Sequence, residues 1–278
     1  MPSSICSIIL ASLIALAAAS ADAQVADALA RYQTLSGVSV TGLDKEALTK
    51  LESGDTIYQT VRMTDSENSG STILRIVGYR LIQVDRESLW LAALAYDGNY
   101  SSRLTEHLVS THQHGDATWY QHIDMPWPLR DRHWLIRTGK NTALAAATDN
   151  RIWEHRWSLE QDSYEQIRTL ARNNAVRSLS SEDFRKSIML PRNNGAWVMM
   201  ELAPRSTLVV LHATMDMGGI IPDSLVARST RKQLRKMLEK IERDSATSID
   251  GYDGSYPIYR GDGTLISPQT RSDNPDAP

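Results

Sequence analysis

The spacing of apolar residues changes once along this chain, and that change constrains the fold most. Between residues 55 and 215 apolar and polar residues mostly alternate, which is typical of strands, whereas after Pro222 they follow a helical spacing. The apolar stripe of that last helix consists of Leu225, Val226, Leu234, Met237, Leu238 and Ile241. Strands are predicted at 55–63, 72–84, 104–112, 118–123, 133–138, 143–148, 152–158, 196–202 and 207–215, with shorter helices after Asp85 and over 163–178. The pattern predicts an α+β protein, in which helices interrupt an antiparallel sheet and a long C-terminal helix closes it.

The N-terminus has the features of a signal peptide. An apolar run from Ile5 to Ala19 precedes Ala21-Asp22-Ala23, which matches an A-x-A cleavage site. The run is shorter than the roughly 20 residues that a membrane-spanning helix needs. We therefore predict a signal peptide over 1–23, cleavage after Ala23 and a periplasmic or secreted protein. No Lys or Arg precedes Arg31, so a retained N-terminal anchor is the alternative.

The C-terminal segment has the composition of a disordered tail. Residues 244–278 are rich in Gly, Ser, Asp and Pro and show no apolar period. The sequence therefore predicts one domain over 24–243, followed by a low-complexity tail over 244–278. On this hypothesis, truncation after Arg243 leaves the melting temperature nearly unchanged.

Composition excludes several classes of function. Lys and Arg (30) nearly balance Asp and Glu (33), so no global positive field favours nucleic-acid binding. The single cysteine, Cys6, excludes a disulfide framework, a thiolate zinc site and a catalytic thiol beyond the first few residues. No G-x-S-x-G, Walker, H-E-x-x-H or dinucleotide motif occurs. We expect no catalytic residues and no cofactor.

Three histidines were considered as metal ligands. His112 and His114 share one face of a predicted strand, beside a turn at Gly115-Asp116. A metal site needs at least one more ligand, and the nearest candidate is His122. A hairpin about that turn puts His122 opposite Val109, several residues from the tip. We therefore predict a solvated turn and no metal site.

Two segments carry more specific patterns. The first reads Asp-Met-Pro-Trp-Pro-Leu-Arg-Asp-Arg-His-Trp from 124 to 134, and the second reads Asp-Met-Gly-Gly-Ile-Ile-Pro from 216 to 222. Together they resemble the START family of lipid-transfer domains, in which a P-x-P-L segment precedes an Arg that begins a strand, and a D-x-G-G-x-x-P turn leads into the terminal helix. The resemblance covers roughly Gln33 to Arg243 and, with the signal peptide, suggests a secreted bacterial-type member.

The resemblance implies a helix-grip fold. In such a fold a curved antiparallel sheet wraps round a long C-terminal helix and encloses an internal hydrophobic tunnel that holds one lipid. The expected ligand-binding residues are Trp119, Arg132, Trp134, Ile136, Trp197, Met199, Leu225 and Leu234, with Arg132 near the lipid head group. Some sterol-binding relatives hold a buried acid and arginine, but Trp119 and Thr138 stand at the positions that look equivalent. Sterol recognition through that pair is therefore not expected.

The expected function is to bind a lipid or other hydrophobic small molecule and to carry or present it in the cell envelope, as a monomer. The last helix carries five basic residues that could touch an anionic membrane surface or simply face solvent, namely Arg228, Arg231, Lys232, Arg235 and Lys236. One alternative is an enzyme of the same fold, such as an aromatase or cyclase acting on a polyketide-like substrate. Another is a binding module whose tail recruits an envelope protein.

Overall fold

The computed structural model describes residues 21–40, 42–64, 72–94, 103–160, 163–176, 178–218, 221–247, 252 and 257–267. Most of the predicted signal peptide therefore lies outside the described residues, and the predicted cleavage after Ala23 falls in the first turn of α1. The helices are α1 (Ala21–Ser36), α2 (Lys45–Glu52), α3 (Arg86–Leu94), α4 (Thr142–Ala147), α5 (Tyr164–Arg172), α6 (Ser181–Lys186) and α7 (Asp223–Ser245). The strands are β1 (Ile57–Thr64), β2 (Thr72–Ile82), β3 (Leu104–Thr111), β4 (Ala117–Ile123), β5 (Arg132–Lys140), β6 (Ile152–Leu159), β7 (Ile188–Met189), β8 (Arg192–Ala203) and β9 (Ser206–Asp216).

The described strands form one sheet in the order β1-β2-β9-β8-β6-β5-β4-β3, and the short β7 pairs with β5. All neighbours in that order are antiparallel, and β7 runs parallel to β5. Helix α7 packs against β2, β9 and α3. The predicted α+β fold, an antiparallel sheet with a long C-terminal helix against it, is confirmed. Among the described helices, none is long and apolar enough to cross a membrane.

Both faces of the sheet are covered by apolar side chains. The inner face meets α3 and α7, and we call its packed centre the inner cluster. Its buried members include Trp90, Trp153, Trp197, Met199, Leu234, Leu238 and Ile241. On the outer face, α1, α2 and α4 cover β2, β8 and β9, while α5 and α6 cover β4 and β5. The fold therefore has three layers, in which one sheet lies between two layers of helices.

Several predicted elements differ from the structure. The strand predicted at 143–148 is wrong, because Thr142–Ala147 forms helix α4. The Asn141 side chain accepts a hydrogen bond from the Leu144 N–H at 3.2 Å and caps that helix, which alanine favours strongly. Helix α6 was not predicted, although Ser180 and Asp183 form a capping box at its start.

Part of the C-terminal segment is docked on the domain. Ile258 and Ile266 are buried in the inner cluster, and the Tyr259 carbonyl accepts a hydrogen bond from Trp90 Nε1 at 2.8 Å. The Arg260 guanidinium donates two hydrogen bonds to the Glu87 carboxylate, at 2.6 and 2.9 Å. The prediction of a disordered tail therefore does not hold for residues 257–267.

A glycine makes this docking possible. A Cβ atom on Gly261 would lie 2.3 Å from Cγ of Trp153, so a larger residue cannot sit at this point without displacing the indole. The Asn150 side chain also donates to the Asp262 carboxylate at 2.7 Å. Residues 257–267, which we call the C-terminal strap, thus close the end of the inner cluster near α3 and β6.

Candidate ligand-binding site

A second apolar group lies on the inner face of the sheet near the N-terminal end of α7, and we call it the mouth cluster. Its buried members are Trp134, Ile136, Leu190 and Met217. Its partly buried members are Leu104, Trp119, Ile123, Met125, Trp157, Leu159, Met215, Ile221 and Val226. The inner cluster is filled by buried side chains, whereas much of the mouth cluster still meets solvent. A partly exposed apolar surface of this kind is a candidate ligand-binding site.

Strand register brings the mouth cluster together. Trp119 lies opposite Ile136 in the β4–β5 pair, and alternation along each strand turns both side chains to the inner face. Trp157 of β6 lies opposite Gly195 of β8. A Cβ atom on Gly195 would lie 2.4 Å from Cζ2 of Trp157, so glycine is required for the indole to cross β8. Trp157 consequently contacts both the mouth cluster and the inner cluster.

The polar groups of the mouth cluster are paired with one another. Trp134 Nε1 donates to Gln121 Oε1 at 2.7 Å, and Trp157 Nε1 donates to Asn193 Oδ1 at 3.0 Å. Gln121 Nε2 in turn donates to Glu106 Oε1. The second carboxylate oxygen, Glu106 Oε2, is buried and has no hydrogen-bond partner within the described part of the chain. A buried acceptor without a donor is costly, so this atom is suited to a ligand that supplies one.

Arg132 connects the two motifs that were singled out in the sequence. It is 2% exposed, and its Nε donates to the Met217 carbonyl at 2.8 Å. The two terminal nitrogens donate to the carbonyls of Gly218, at 3.2 Å, and Arg130. Burial lowers the pKa of the guanidinium. The arginine at the start of β5 therefore holds the turn that leads into α7. We expected Arg132 to donate hydrogen bonds to a lipid head group, but in the structure it donates them to these three carbonyls.

The predicted site residues fall into three groups. Trp119, Trp134 and Ile136 lie together in the mouth cluster, as expected from strand parity. Trp197, Met199 and Leu234 are also on the inner side but belong to the packed inner cluster. Leu225 is 54% exposed on α7 and is not a member of either cluster, whereas its neighbour Val226 packs against the mouth cluster.

Sequence reasoning missed ten of the thirteen members of the mouth cluster, Trp157 and Val226 among them, and the neighbouring Glu106. Trp157 lies on a predicted strand, and its parity with Trp153 could have placed it on the inner face. Val226 belongs to the predicted helical stripe, but the stripe alone does not show which member faces the ligand. Glu106 carries no sequence signal, because an acid within a strand usually faces solvent.

The three histidines considered as metal ligands are separated in the structure. His112 Nε2 lies 3.1 Å from Thr118 Oγ1, and His114 Nδ1 lies 3.2 Å from the Gly263 carbonyl oxygen of the C-terminal strap. His122 is buried and pairs with Thr105, so its predicted position opposite Val109 is wrong. The register differs because the β3–β4 pair is irregular between Leu108 and Ser110 and the turn is longer than two residues.

His155 is a titratable residue on the inner side of β6, opposite Trp197 of β8. Its ring centroid lies 6.3 Å from that of Trp90 in an edge-on contact. Burial, and then the charge of Lys140, lower its pKa to about 3. The imidazole is therefore neutral at physiological pH and adds no charge to the inner face.

Two surface cavities lie away from the mouth cluster. One, of about 760 Å³, lies between β1, α2 and α7 and is lined largely by charged and polar residues, among them Lys50, Arg80, Arg231 and Glu239. The other, of about 290 Å³, lies between α1 and α2. Neither is lined by the residues predicted to form a tunnel wall.

Comparisons with known proteins identify similar solved structures. No known family profile and no curated protein matches the sequence. Human STARD10 is 11% identical over 75% of this chain and 82% of its own, with a TM-score of 0.45. Human StAR-related lipid transfer protein 5 is 9% identical over 81% and 97%, with a TM-score of 0.48. A STAR-related lipid transfer protein fragment from Xanthomonas axonopodis is 14% identical over 67% and 98%, with a TM-score of 0.45.

Proposed function

We propose that this protein binds one lipid or similar hydrophobic molecule at the mouth cluster and carries it within the cell envelope. The observation that carries the proposal is the group of nine partly buried apolar side chains between the sheet and the start of α7. Each CH₂ group removed from water is worth about 0.8 kcal/mol, so shielding a long acyl chain is worth on the order of 10 kcal/mol. A bound ligand would also remove the apolar side chains of the mouth cluster from water, which adds to the free energy of binding.

The polar pairing at the mouth cluster supports a carrier over an enzyme. The indole N–H groups of Trp134 and Trp157 have acceptors within the protein, so these two rings present apolar faces to a ligand. His155 is neutral, and Arg132 donates to backbone carbonyls. A cyclase would need charged or hydrogen-bonding groups aimed at several positions of its substrate.

Exposed apolar residues at the same end of the domain support contact with a membrane surface. Trp127 is 92% exposed on the loop that also carries Met125, a member of the mouth cluster. Leu225 is exposed at the start of α7, next to the basic residues of that helix. An exposed Trp near basic side chains suits the interface of an anionic membrane. A lipid could then pass into the mouth cluster without crossing water.

We place this function in the periplasm or outside the cell because of the predicted signal peptide. The buried residues of α1 begin at Val25, two positions after the predicted cleavage. Removal of residues 1–23 therefore leaves the buried side of α1 intact. N-terminal sequencing of the exported protein tests this placement, with Gln24 as the expected first residue.

Native mass spectrometry of the purified mature protein tests the proposed function. We expect a species heavier than the bare chain by the mass of one lipid, which organic extraction removes. Protein that arrives without lipid and takes up none from vesicles would contradict the proposal. Turnover of a polyketide-like substrate would instead favour the cyclase alternative.

Two neighbouring substitutions on α7 test the location of the site. Val226→Glu puts a carboxylate against the mouth cluster and is expected to weaken lipid binding more than about tenfold, since an unpaired charge beside an apolar ligand costs more than about 1.4 kcal/mol. Leu225→Glu adds the same charge at an exposed position and should leave lipid binding nearly unchanged. Fluorescent-lipid titration measures both. Equal losses would place the site elsewhere.

Glu106 is expected to select ligands with a hydrogen-bond donor. In Glu106→Gln the side-chain oxygen is held by Gln121 Nε2, so the new NH₂ group replaces the unpartnered Oε2. Binding of a long-chain alcohol should then weaken about tenfold, because a hydrogen bond to a charged acceptor is worth about 1.5–3 kcal/mol. The methyl ether of the same alcohol serves as the control, since it has no donor and should bind both proteins equally. A similar loss for both ligands would exclude this role for Glu106.

A further inference from the structure

We propose a divalent-cation site, suited to Zn²⁺, formed by His122, Asp124 and Asp131 at the base of the loop over 125–130. Each of the three residues can offer one ligand atom such that all three atoms lie within 4.8 Å of one another. The site lies on the outer face of β4, on the opposite side of the sheet from the mouth cluster. It involves neither His112 nor His114, the pair considered from the sequence.

The hydrogen bonds of His122 leave one of its two ring nitrogens with a free lone pair that can bind a metal ion. The Ser187 hydroxyl donates its hydrogen to the Asp183 carbonyl at 2.6 Å. His122 Nε2 lies 3.0 Å from the same hydroxyl oxygen, which can only accept a second bond. Nε2 therefore carries the hydrogen of the neutral ring, and Nδ1 has a free lone pair.

The free nitrogen is buried and faces a carboxylate. The His122 side chain is 1% exposed, and Nδ1 has no hydrogen-bond partner among the residues that the structure describes. The nearest carboxylate atom is Asp124 Oδ1, at 3.4 Å. A lone pair against a carboxylate oxygen is repulsive unless a proton or a metal cation lies between them. Two ligands bound tetrahedrally at about 2.1 Å from zinc lie about 3.4 Å apart, which matches this separation.

Asp131 completes the set from the start of β5. Its Oδ1 accepts the Met125 N–H at 2.8 Å. Its Oδ2 lies 3.9 Å from Nε2, the other nitrogen of the His122 ring, so this carboxylate must turn toward Nδ1 to share a cation with Asp124. One neutral imidazole and two carboxylates give a donor set of nitrogen and oxygen atoms with two negative charges. Imidazole favours zinc over magnesium or calcium, and a water molecule can fill the fourth position.

The hydrogen bond from His122 Nε2 to Ser187 has the form that metal-bound histidines use. A second-sphere acceptor on the other nitrogen fixes the tautomer and the ring orientation. Ser187 is itself held by the carbonyl of Asp183 in helix α6. The imidazole is thus oriented for coordination before a metal arrives.

The position of the site gives it a structural consequence. Asp124 and Asp131 stand at the two ends of the loop that presents Trp127 and Met125. A cation bound to both aspartates and to β4 would clamp the loop at its base. This inference does not depend on the proposed lipid binding, because it concerns the opposite face of the sheet.

Calorimetric titration of the mature, chelator-treated and tag-free protein with Zn²⁺ tests the proposal. We expect one binding equivalent, and about tenfold or greater loss of affinity in Asp124→Asn and in Asp131→Asn. Asp124 is 64% exposed, so its replacement does not disturb the fold. The double variant His112→Gln/His114→Gln is the matched control, and it should bind Zn²⁺ like the wild type.

A second measurement separates the proposed site from other modes of zinc binding. Co²⁺ in place of Zn²⁺ should give visible absorption bands in the wild type that are weakened in Asp124→Asn and unchanged in the control. Absence of Zn²⁺ binding would overturn the proposal and leave His122 and Asp124 as an ordinary ion pair. Binding that the histidine control loses and the aspartate variants keep would equally overturn it.

Discussion

Replacing Ile266 by alanine is expected to lower the free energy of unfolding by about 2–5 kcal/mol, although this residue lies in a segment whose composition is typical of disorder. Ile266 is 3% exposed and belongs to the inner cluster together with Ile258. Its truncation leaves a cavity beside the packed indoles. Leu265→Ala removes a similar side chain that is 50% exposed and should change stability by less than about 0.5 kcal/mol. Urea denaturation followed by circular dichroism measures the difference.

A truncation after Thr247 extends the same test to the whole C-terminal strap. It keeps α7 intact but removes the carbonyl that accepts the Trp90 N–H and the guanidinium that pairs with Glu87. The truncated protein should melt several degrees lower than the full mature chain. An unchanged melting temperature, with equal effects of the two alanine variants, would mean that the strap adds nothing to stability.

Acidification is expected to destabilise the fold steeply through His155 and His212, whose pKa values the fold lowers. Burial, and secondarily the charges of Lys140 and Arg75, lower the pKa of His155 and that of His212 to about 3. In the unfolded chain both groups take up protons below about pH 6.5. The unfolded state then binds more protons than the folded state, so stability is complete above that pH and falls as the pH is lowered toward 3.

The size of the acid effect follows from the number of protons. Each extra proton bound by the unfolded chain contributes about 1.4 kcal/mol per pH unit, so these two histidines together contribute about 3 kcal/mol per pH unit near pH 5. Denaturation curves at pH 7, 6 and 5 measure this slope. His155→Met removes one of the groups from an apolar environment and should reduce the slope by about half of that amount. An unchanged slope in this variant would show that His155 does not titrate as described.

Tyr32 fixes the tautomer of His212 on the outer face. The Tyr32 hydroxyl donates to Glu154 Oε1 at 2.7 Å, so it can only accept from His212 Nε2, which lies 3.0 Å away. Burial, and then the Glu154 carboxylate, raise the pKa of Tyr32. If His212 took up a second proton, it would bind at Nδ1, and the new N–H group would have no hydrogen-bond acceptor within the described residues.

Local periodicity predicted the sheet and the last helix because both depend on patterns within one segment. The same reasoning failed at 143–148, where a short run of Ala with one Leu does not distinguish a strand from a helix and the cap at Asn141 decides the outcome. It also failed for the C-terminal strap. There a few isolated apolar residues are buried by α3 and β6. Because these partners lie far away in the sequence, the composition of the segment does not reveal that it is docked.

The site was predictable where strand parity applies. Trp119, Trp134 and Ile136 fall on the correct face because side chains alternate along a strand. Leu225 was assigned to the wall in place of Val226, since the helical stripe does not reveal which side of α7 meets the mouth cluster. The neighbours of His122 were missed because an irregularity in β3 shifts the register and a loop brings Asp131 back to β4.

The pairing of β2 with β9 sets the order in which this chain can fold. Arg75 lies opposite Thr214, and these two residues are 139 positions apart. During synthesis, β2 therefore waits with one edge unpaired while most of the domain is still being made. Contacts of such long range slow folding and prolong the exposure of apolar surface. The sheet can therefore be completed only after β9 emerges, and we expect aggregation to compete with folding during that interval.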